Sequence, residues 1–411
     1  MSNPIPLCVD MDGTLLKIDT LLELLIGAVK QQPWVILLLP LWCFRGIAFV
    51  KRSLAARCAL RVDLLPENVE FAAFLQREKN QGRDLYLVTG AYSDVAEQVA
   101  ARYGFFSGVL ATTDKNLTGK AKADAMVNQF GEKGFDYAGN STVDCPCWER
   151  ARQCYLVNAS PAETKKINEK IVFTEKFDLQ SGLTLAVLLR ALRIHQWAKN
   201  ALIFVPLLAA HRVLEWELLR DTLLAFLVFG FCASFSYVLN DLCDLDADRQ
   251  HRSKCKRPFA SGVLAIPLGL AVAAILALSS VLISFMLPLK FFYSLLIYFV
   301  VTQAYTLRLK HIPILDVAVL AGLYALRVIA GGFSAQAETS FWLLAFSCFI
   351  FFSLAIVKRL SELQIVEVDS SNTSIQYRGY RTTDTPVLIG LGTASAMMGV
   401  LVLALYINSP T

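Results

Sequence analysis

Two carboxylates, Asp10 and Asp12, stand two residues apart directly after the short apolar run at residues 5–9. Side chains two residues apart lie on the same side of an extended chain, so both acids leave the end of one predicted strand together. Gly13 follows them and permits a tight turn. Paired carboxylates in this position can bind Mg²⁺ and supply a nucleophile. Alternatively, an isolated Asp-x-Asp-Gly-Thr pattern can cap a loop and have no catalytic role.

Three further polar groups follow at the ends of later strand-like runs or at the start of a helix: Thr89, Lys122 and Asp144. Lys120 is the alternative lysine, but Lys122 is favoured because it stands just ahead of the amphipathic stretch 123–130. A phosphomonoester is doubly anionic, and a carboxylate can attack it only where a metal ion and a lysine neutralise the developing charge. A set of two carboxylates, a hydroxyl and a lysine meets these requirements of phosphate-ester chemistry.

The acidic segment 240–248 is the second candidate site. Its polar residues Asn240, Asp241, Asp244 and Asp248 are spaced to share one face of a helix at the end of a predicted membrane span. Unpaired carboxylates there repel one another and lose hydration. Divalent cations that bridge a diphosphate would relieve both effects, since Mg²⁺ prefers a few carboxylates together with phosphate oxygens. A solvated helix end without a ligand is the alternative.

The chain is too apolar to consist of soluble domains alone, because 55% of its 411 residues are hydrophobic and its mean hydropathy is +0.49. Apolar runs long enough to cross a bilayer begin after about residue 182. Seven candidate spans lie at residues 184–210 in part, 219–238, 264–285, 290–306, 314–333, 341–357 and 386–407. The sequence therefore predicts an all-α polytopic membrane bundle behind a soluble domain.

The charge of the loops predicts the orientation in the membrane. Loops 239–262, 304–313 and 358–385 hold eleven Lys and Arg residues, whereas the loops on the opposite side hold three. Cytoplasmic loops are enriched in cations, so the soluble domain is expected in the cytoplasm and the spans in the inner (plasma) membrane. Residues 1–6 lack the basic start of a signal peptide. Ten cysteines without metal-ligand spacing indicate reduced thiols, and no basic tail suited to nucleic acid is present.

Residues 33–44 form an apolar run that prolines interrupt and that is too short to span a bilayer comfortably. The run is either the buried core of a helical cap inserted after the first acidic pair, or part of a cap that lies on the bilayer. In the second case its two tryptophans would lie at the level of the headgroups, with Arg45, Lys51 and Arg52 facing anionic lipid.

The order of Asp-x-Asp, Thr, Lys and Asp on strand ends resembles the haloacid dehalogenase (HAD) superfamily of phosphatases, over most of residues 5–160. The resemblance implies a Rossmann-like α/β domain with a helical cap at about residues 17–80. Asp10 would attack phosphorus, and Asp12 would protonate the leaving oxygen and then activate water.

The same resemblance assigns the remaining groups. Thr89 and Lys122 would hold phosphoryl oxygens, while Asp144 would complete a Mg²⁺ site with the first two acids. Relatives usually carry an acid at the position of Asn140. An amide supplies no negative charge, so a weaker Mg²⁺ affinity is expected here.

The NDxxDxxxD pattern resembles the UbiA superfamily of intramembrane prenyltransferases, from about residue 185 to the C-terminus. Aromatic prenyltransferases of that superfamily carry a second DxxxD motif, which here would need an acid at Leu320. The later polar residues resemble instead the branch of decaprenyl-phosphate phosphoribosyltransferases; they are Tyr305, Lys310, Asp316, Arg327, Lys358 and Arg359.

That branch implies two roles for these side chains. Asp316 would join Asp241, Asp244 and Asp248 in binding Mg²⁺ and the leaving diphosphate, where Asp241 and Asp244 are the expected catalytic acids. The substrate-binding set would be Asn240, Arg249, Tyr305, Lys310, Arg327, Lys358 and Arg359, because phosphoribosyl diphosphate carries a 5-phosphate besides its diphosphate. Arg327 has an alternative role as the structural ion partner of Asp316 inside an apolar span.

The leading interpretation is a membrane transferase that moves phosphoribose from phosphoribosyl diphosphate to a polyprenyl phosphate, fused to a phosphatase that removes the 5-phosphate. A prenyltransferase acting from a prenyl diphosphate on an aromatic or other acceptor is the first rival, and an N-terminal binding module without catalysis is the second. The expected domains are residues 1–160, a linker at 161–182 and a membrane domain at 183–411. Relatives usually have nine spans, so the membrane domain is expected to be short at its C-terminus. The chain is then naturally short, its product is truncated, or a partner subunit closes the bundle. A homo-oligomer is compatible with the sequence.

Overall fold

The computed structural model describes residues 5–169, 171–177, 184–369 and 379–407. The chain divides into two compact units. The first unit holds Met1–Ala191 together with Asp241–Gly269, and the second holds Leu192–Asn240 and Leu270–Thr411. Most of the acidic segment predicted for the membrane domain therefore belongs to the same unit as the predicted phosphatase domain.

A six-stranded parallel sheet forms the centre of the first unit. Its strands are β1 (Leu7–Val9), β2 (Leu85–Tyr92), β3 (Gly108–Thr112), β4 (Asp136–Gly139), β5 (Cys154–Val157) and β6 (Glu175–Phe177), in the order β3-β2-β1-β4-β5-β6. Because β1 pairs with both β2 and β4, the strand order reverses there and the carboxyl ends of three strands meet. Open parallel sheets bind ligands at such a point. The predicted Rossmann-like α/β domain is confirmed.

Eight helices accompany the sheet: α1 (Thr20–Gln31), α2 (Val35–Phe44), α3 (Ile47–Ala55), α4 (Val69–Asn80), α5 (Ser93–Tyr103), α6 (Lys120–Phe130), α7 (Cys145–Arg150) and α8 (Pro161–Asn168). Leu7 and Val9 of β1 belong to one buried cluster and Cys8 to another, as expected for a strand covered on both faces. The first three helices follow the Asp10–Asp12 turn and form the cap. Asp19 begins α1 by accepting hydrogen bonds from the backbone N–H groups of Leu21 and Leu22.

The remaining helices are α9 (Leu185–Ala191), α10 (Val205–Ala209), α11 (Trp216–Cys243), α12 (Leu245–Gln250), α13 (Ile266–Ser284), α14 (Leu289–Leu307), α15 (Leu315–Ser334), α16 (Phe341–Asp369) and α17 (Thr385–Ile407). Within the described residues, five helices are long and apolar enough to cross a membrane: α11, α13, α15, the first 24 residues of α16, and α17. The chain is an integral membrane protein.

Five of the seven predicted spans coincide with these helices. Residues 290–306 form α14, which is not one of the five, and residues 184–210 form α9, α10 and the 3-10 helix Ile194–Phe204 instead of a continuous span. The predicted linker at 161–182 contains α8 and β6, so the sheet extends past residue 160. Residues 170 and 178–182 of that linker lie outside the described part of the chain.

Candidate active sites

Asp10 follows β1, and its buried carboxylate lies next to Lys122. The ammonium group of Lys122 donates to Asp10 Oδ1 at 2.7 Å, and the Thr14 hydroxyl donates to Oδ2 at 3.3 Å. Lys122 is buried in the first turn of α6, whereas Lys120 is exposed. The structure therefore places the favoured lysine beside the predicted nucleophile.

Asp144 lies on the other side of Lys122. Its Oδ1 accepts hydrogen bonds from the Tyr137 hydroxyl at 2.7 Å and from Lys122 Nζ at 3.4 Å. Its Oδ2 accepts from the backbone N–H groups of Asn140 and Ser141 at 3.1 and 3.2 Å. Burial alone would lower the pKa of Lys122. The negative charges of Asp10 and Asp144 have a larger effect, so the pKa of the lysine is raised. The lysine is thus a fixed cation between two buried acids.

Asp12 is held by the start of the cap. Its two carboxylate oxygens accept from the backbone N–H and the hydroxyl of Thr20, each at 3.1 Å. Burial, with the charges of Asp19 and Asp10, raises the pKa of Asp12 to about 8. Burial also raises the pKa of Asp10 to about 6, although Lys122 partly offsets it. A cation near both acids would lower the electrostatic cost of ionising them.

These groups surround one cavity of about 260 Å³. Its lining includes Asp10, Asp12, Thr89, Lys122 and Asp144, so the first unit brings all five predicted phosphatase residues together. Thr89 is buried in β2, and its hydroxyl accepts from the backbone N–H of Ala91 at 3.0 Å. The cavity lies at the carboxyl ends of β1, β2 and β4, where the strand order predicts a ligand site.

The residues present suit Mg²⁺. Within the described ranges, no group of three or more His, Cys, Asp or Glu side chains is arranged to hold a metal ion alone. Mg²⁺ is commonly bound by one or two carboxylates together with substrate phosphate oxygens, and Asp10, Asp12 and the Asn140 side chain line the same cavity. Gly13 has φ +76°, and a β-carbon there would lie 2.0 Å from Asn140 Nδ2. Only glycine allows the amide this close to the acidic pair.

Lys51 also lines this cavity, although one of the two interpretations of the cap sequence places it at a lipid surface. It is buried in α3, and its ammonium group donates to Gly90 O and to Asn116 Oδ1, each at 2.6 Å. Burial lowers its pKa. Lys51 therefore does not face lipid, and it adds a second cation to the cavity from the cap side.

We expect Lys51→Met to lower kcat/KM for a phosphomonoester by about tenfold or more, because it removes a charged hydrogen-bond donor from the cavity. The matched control is Arg52→Met, since the neighbouring Arg52 is exposed and forms an ion pair with the exposed Asp114 at 3.9 Å. Steady-state phosphatase kinetics with a thermal unfolding measurement checks both variants. Equal losses in the two variants would contradict a role for Lys51 in the site.

The acidic segment 241–248 is not one continuous helix. The helix α11 ends at Cys243 and α12 begins at Leu245, so the predicted single face is interrupted at Asp244, where φ is −103° and ψ is 15°. Asp241 and Asp248 nevertheless meet at one guanidinium. Arg257 Nη1 lies 3.2 Å from Asp241 Oδ1 and 2.5 Å from Asp248 Oδ2, and both acids are buried. The carboxylates of Asp241 and Asp248 therefore share one cation, the guanidinium group of Arg257.

Arg249, predicted to bind substrate, forms a buried ion pair in the first unit. Its Nη2 and Nη1 donate to the Glu23 carboxylate at 2.6 and 3.1 Å, and its Nε donates to Ala260 O at 3.2 Å. Glu23 belongs to α1 of the cap. The chain after the acidic segment is therefore attached to the cap that holds Asp12.

In the second unit, Asp316 at the start of α15 is fully buried. Arg359 Nη2 donates to its Oδ2 at 2.5 Å, and the Tyr380 hydroxyl donates to its Oδ1. Arg359 also donates to Glu362. The ion partner of Asp316 is thus Arg359, and the alternative pair between Asp316 and Arg327 is not formed.

Arg327 is buried in α15, and its hydrogen-bond partners are uncharged groups. Its Nε donates to Asn200 Oδ1 at 2.9 Å, its Nη2 to the Tyr298 hydroxyl at 3.1 Å, and its Nη1 to Leu323 O at 2.7 Å. Tyr305 and Lys310, in α14 and just after it, are partly buried.

Lys199 is a cation that the sequence analysis did not identify. It lies in the 3-10 helix Ile194–Phe204, outside the five long apolar helices. Burial and the nearby charges of Lys358, Arg327 and Arg193 lower the pKa of Lys199 to about 8. We call these four residues the cation cluster. Like charges gathered this way favour an anionic ligand, since its binding removes their mutual repulsion.

Models of two known protein families match separate regions of the chain. The profile of the UbiA prenyltransferase family matches residues 201–410, and that of the haloacid dehalogenase-like hydrolases matches residues 7–148. An uncharacterised protein, y4nM of Sinorhizobium fredii, is 33% identical over 405 residues, which are 98% of this chain and 78% of that protein.

A decaprenyl-phosphate phosphoribosyltransferase of Mycolicibacterium smegmatis is 35% identical over 184 residues. The match covers 44% of this chain and 58% of that enzyme. The structure of a UbiA homologue from Archaeoglobus fulgidus bound to DMAPP and Mg²⁺ aligns with a TM-score of 0.45 at 19% identity, covering 55% of this chain and 79% of that one. The chain belongs to the UbiA prenyltransferase family and carries a haloacid dehalogenase-like hydrolase domain ahead of the UbiA region.

Proposed function

We propose that the UbiA region transfers phosphoribose from phosphoribosyl diphosphate to a polyprenyl phosphate, and that the hydrolase domain removes the 5-phosphate from the product. The observation that carries the proposal is the cation cluster, in which Arg327 Nε donates at 2.9 Å to Asn200, the residue after Lys199. It is taken with the likeness to decaprenyl-phosphate phosphoribosyltransferases. A prenyl diphosphate carries one diphosphate group, whereas phosphoribosyl diphosphate carries a second anionic group at its 5-position. The cluster suits that second group.

The resemblance to the family assigns the acids of the segment 241–248 to the diphosphate. Asp241 and Asp248 would hold Mg²⁺ in exchange for Arg257, because each already faces a cation and Mg²⁺ prefers carboxylates with phosphate oxygens. When bound, the ion neutralises the leaving diphosphate. Arg257 remains nearby as a partner for phosphate oxygens. The acceptor phosphate is anionic at neutral pH and needs no strong base, so electrostatic stabilisation of the leaving group supplies most of the catalysis.

The hydrolase step uses the cavity around Asp10. The Asp10 carboxylate attacks phosphorus, the bond from phosphorus to the ribose oxygen breaks, and Asp12 gives its proton to that oxygen. Water then cleaves the aspartyl-phosphate and returns a proton to Asp12, which releases phosphate and free Asp10. Lys122 and Thr89 hold phosphoryl oxygens. Mg²⁺ would be held by Asp10 and the Asn140 amide, with Asp144 supporting the loop, and would supply further positive charge.

The order of the two reactions explains the fusion. The transferase product is itself a phosphomonoester, so one chain supplies the hydrolase with substrate at a high effective concentration. The excess of cations in loops 239–262, 304–313 and 358–385 supports a cytoplasmic hydrolase domain and an inner-membrane location. Both activities then face the same leaflet.

The direct test incubates the purified chain with Mg²⁺, labelled phosphoribosyl diphosphate and undecaprenyl phosphate. We expect a labelled lipid that depends on Mg²⁺. Transfer from a prenyl diphosphate to an aromatic acid, with no reaction of phosphoribosyl diphosphate, would replace this proposal with the prenyltransferase alternative. A separate assay with p-nitrophenyl phosphate tests whether the hydrolase domain is a catalyst or a binding module.

The cation cluster makes a prediction about substrate affinity. Lys358→Ala should raise the KM for phosphoribosyl diphosphate by about tenfold or more, since a charge-assisted phosphate contact contributes about 1.5–3 kcal/mol. The control is Lys290→Ala, which removes another exposed lysine from the second unit. Arg359→Ala is less informative, because it would also leave the buried Asp316 without its ion partner. An unchanged KM in Lys358→Ala would remove this lysine from the site.

A further inference from the structure

The cap helix α2 exposes most of its apolar surface. Of its ten residues only Val35 and Trp42 are buried, whereas Leu37 is 76% exposed and Phe44 is 92% exposed. Trp34, just before the helix, is also exposed. The buried-core interpretation of residues 33–44 therefore holds for Val35 and Trp42, with Leu38 and Leu39 partly buried against the same cluster. Large apolar side chains grouped on a surface mark a contact with a partner or a membrane.

The charge around α2 identifies the kind of partner. Residues 24–62 contain six Lys and Arg residues and no Asp or Glu. Lys51 belongs to the cavity, but Arg52 is exposed, Arg45 lies 5.1 Å from the centre of the Phe49 ring, and Arg57 lies 4.6 Å from that of Trp42. Exposed Trp, Leu and Phe beside cations, without acids, suit a bilayer surface with anionic headgroups.

The position of the cap within the first unit points to the same partner. The loop between α11 and α13 joins two membrane-spanning helices, so it must lie at the membrane surface. That loop packs against the cap through the buried pair of Arg249 and Glu23. Gly262 of the loop is so close to the cap that a β-carbon there would lie 2.9 Å from Lys17 Cβ. With ten residues, α2 is too short to cross the bilayer and long enough to lie on it.

We propose that α2 and its flanking residues Trp34 and Arg45 form a membrane-docking surface that seats the cap on an anionic bilayer. Docking keeps the hydrolase cavity at the headgroup level, where a lipid-borne phosphomonoester can enter while its polyprenyl chain stays in the membrane. Leu21, Leu24 and Lys51 line the cavity from the cap, so the docked element also forms one wall of the site. The substrate part of this inference rests on the proposed function, but the docking part does not.

The first test measures how deeply Trp34 lies in the bilayer. The chain and its Trp34→Phe variant are placed in nanodiscs containing phosphatidylglycerol, and the difference in fluorescence gives the Trp34 signal. Lipids brominated near the headgroup should quench this signal strongly, and aqueous iodide should quench it weakly. Strong quenching by iodide without quenching by brominated lipid would overturn the proposal. Protection from both quenchers would indicate a protein partner or a second copy of the chain, and would overturn it as well.

The second test separates docking from catalysis. The double variant Leu37→Glu/Phe44→Glu should lower kcat/KM for a lipid-borne phosphomonoester by about tenfold or more, because two buried apolar contacts with the bilayer are lost. Its turnover of p-nitrophenyl phosphate, which is water-soluble, should not change. The matched control is Val172→Glu, since Val172 is as exposed as Phe44 at 92% but lies outside the cap. If the double variant and the control hydrolyse the lipid substrate at equal rates, docking of α2 does not deliver that substrate to the cavity, and this part of the inference is overturned. Absence of any phosphatase activity in the wild-type chain would instead refute the proposed function, while the Trp34 result still decides docking.

Discussion

Asp241→Asn is expected to abolish transfer to the lipid while hydrolysis of p-nitrophenyl phosphate continues at the wild-type rate. Asp241 is buried at the end of α11 and shares Arg257 with Asp248. The asparagine keeps the shape of the side chain but removes the charge that would bind Mg²⁺ and the diphosphate. Loss of one such electrostatic group costs about 10² to 10³ in rate, so product should fall close to the detection limit of a labelled-lipid assay.

A neighbouring acid supplies the control for this experiment. Asp246→Asn changes the net charge by the same amount within the same segment, but Asp246 is exposed. It should leave both activities unchanged. Since the segment 241–269 belongs to the same compact unit as the hydrolase cavity, a parallel loss of both activities in Asp241→Asn is a real alternative outcome. It would indicate disruption of the whole unit or one shared site, and the assignment of two separate sites would then be wrong.

The hydrolase fold and most of its cavity could be predicted from local patterns. Asp10 and Asp12 follow β1, Thr89 lies in the second half of β2, Lys122 is in the first turn of α6 and Asp144 directly precedes α7. A parallel sheet gathers such positions at one edge. The preference for Lys122 over Lys120 has a simple physical origin, since Lys122 lies on the face of α6 that also buries Ala123 and Met126. Local amphipathic spacing is enough to choose between the two lysines.

Other features depend on contacts that no local pattern contains. Lys51 sits in a basic, apolar stretch typical of a membrane surface, and only the fold of the cap places it over Gly90. The break at Asp244 interrupts a spacing that fits one helix. Asp316 and Arg359 are 43 residues apart and meet through the packing of α15 on α16. Sequence spacing identifies which polar residues are unusual, but it does not pair distant ones.

Asp10→Asn is expected to stop the two-step sequence at the phosphorylated lipid. An amide carries no charge and forms no phosphoenzyme, so hydrolysis should fall by at least about 10⁴, the scale on which loss of a nucleophile acts in other covalent enzymes. The transferase step does not use Asp10 and should continue. Mass spectrometry of extracted lipid should therefore detect a product with one phosphate more than the wild-type product.

Two further variants make this result specific. Asp114→Asn removes an exposed acid from the same domain and should leave the wild-type product unchanged. Asn140→Asp places a charge beside Asp10 and Asp12, and it should lower the Mg²⁺ concentration needed for half-maximal hydrolysis if these residues share the ion. If the wild-type chain also stops at the phosphorylated lipid, and neither Asp10→Asn nor Asn140→Asp changes the product, the hydrolase domain does not act on this lipid. Its buried acids would then serve binding, because the geometry of Asp10, Lys122 and Asp144 suits a phosphate group whether or not the phosphate is cleaved.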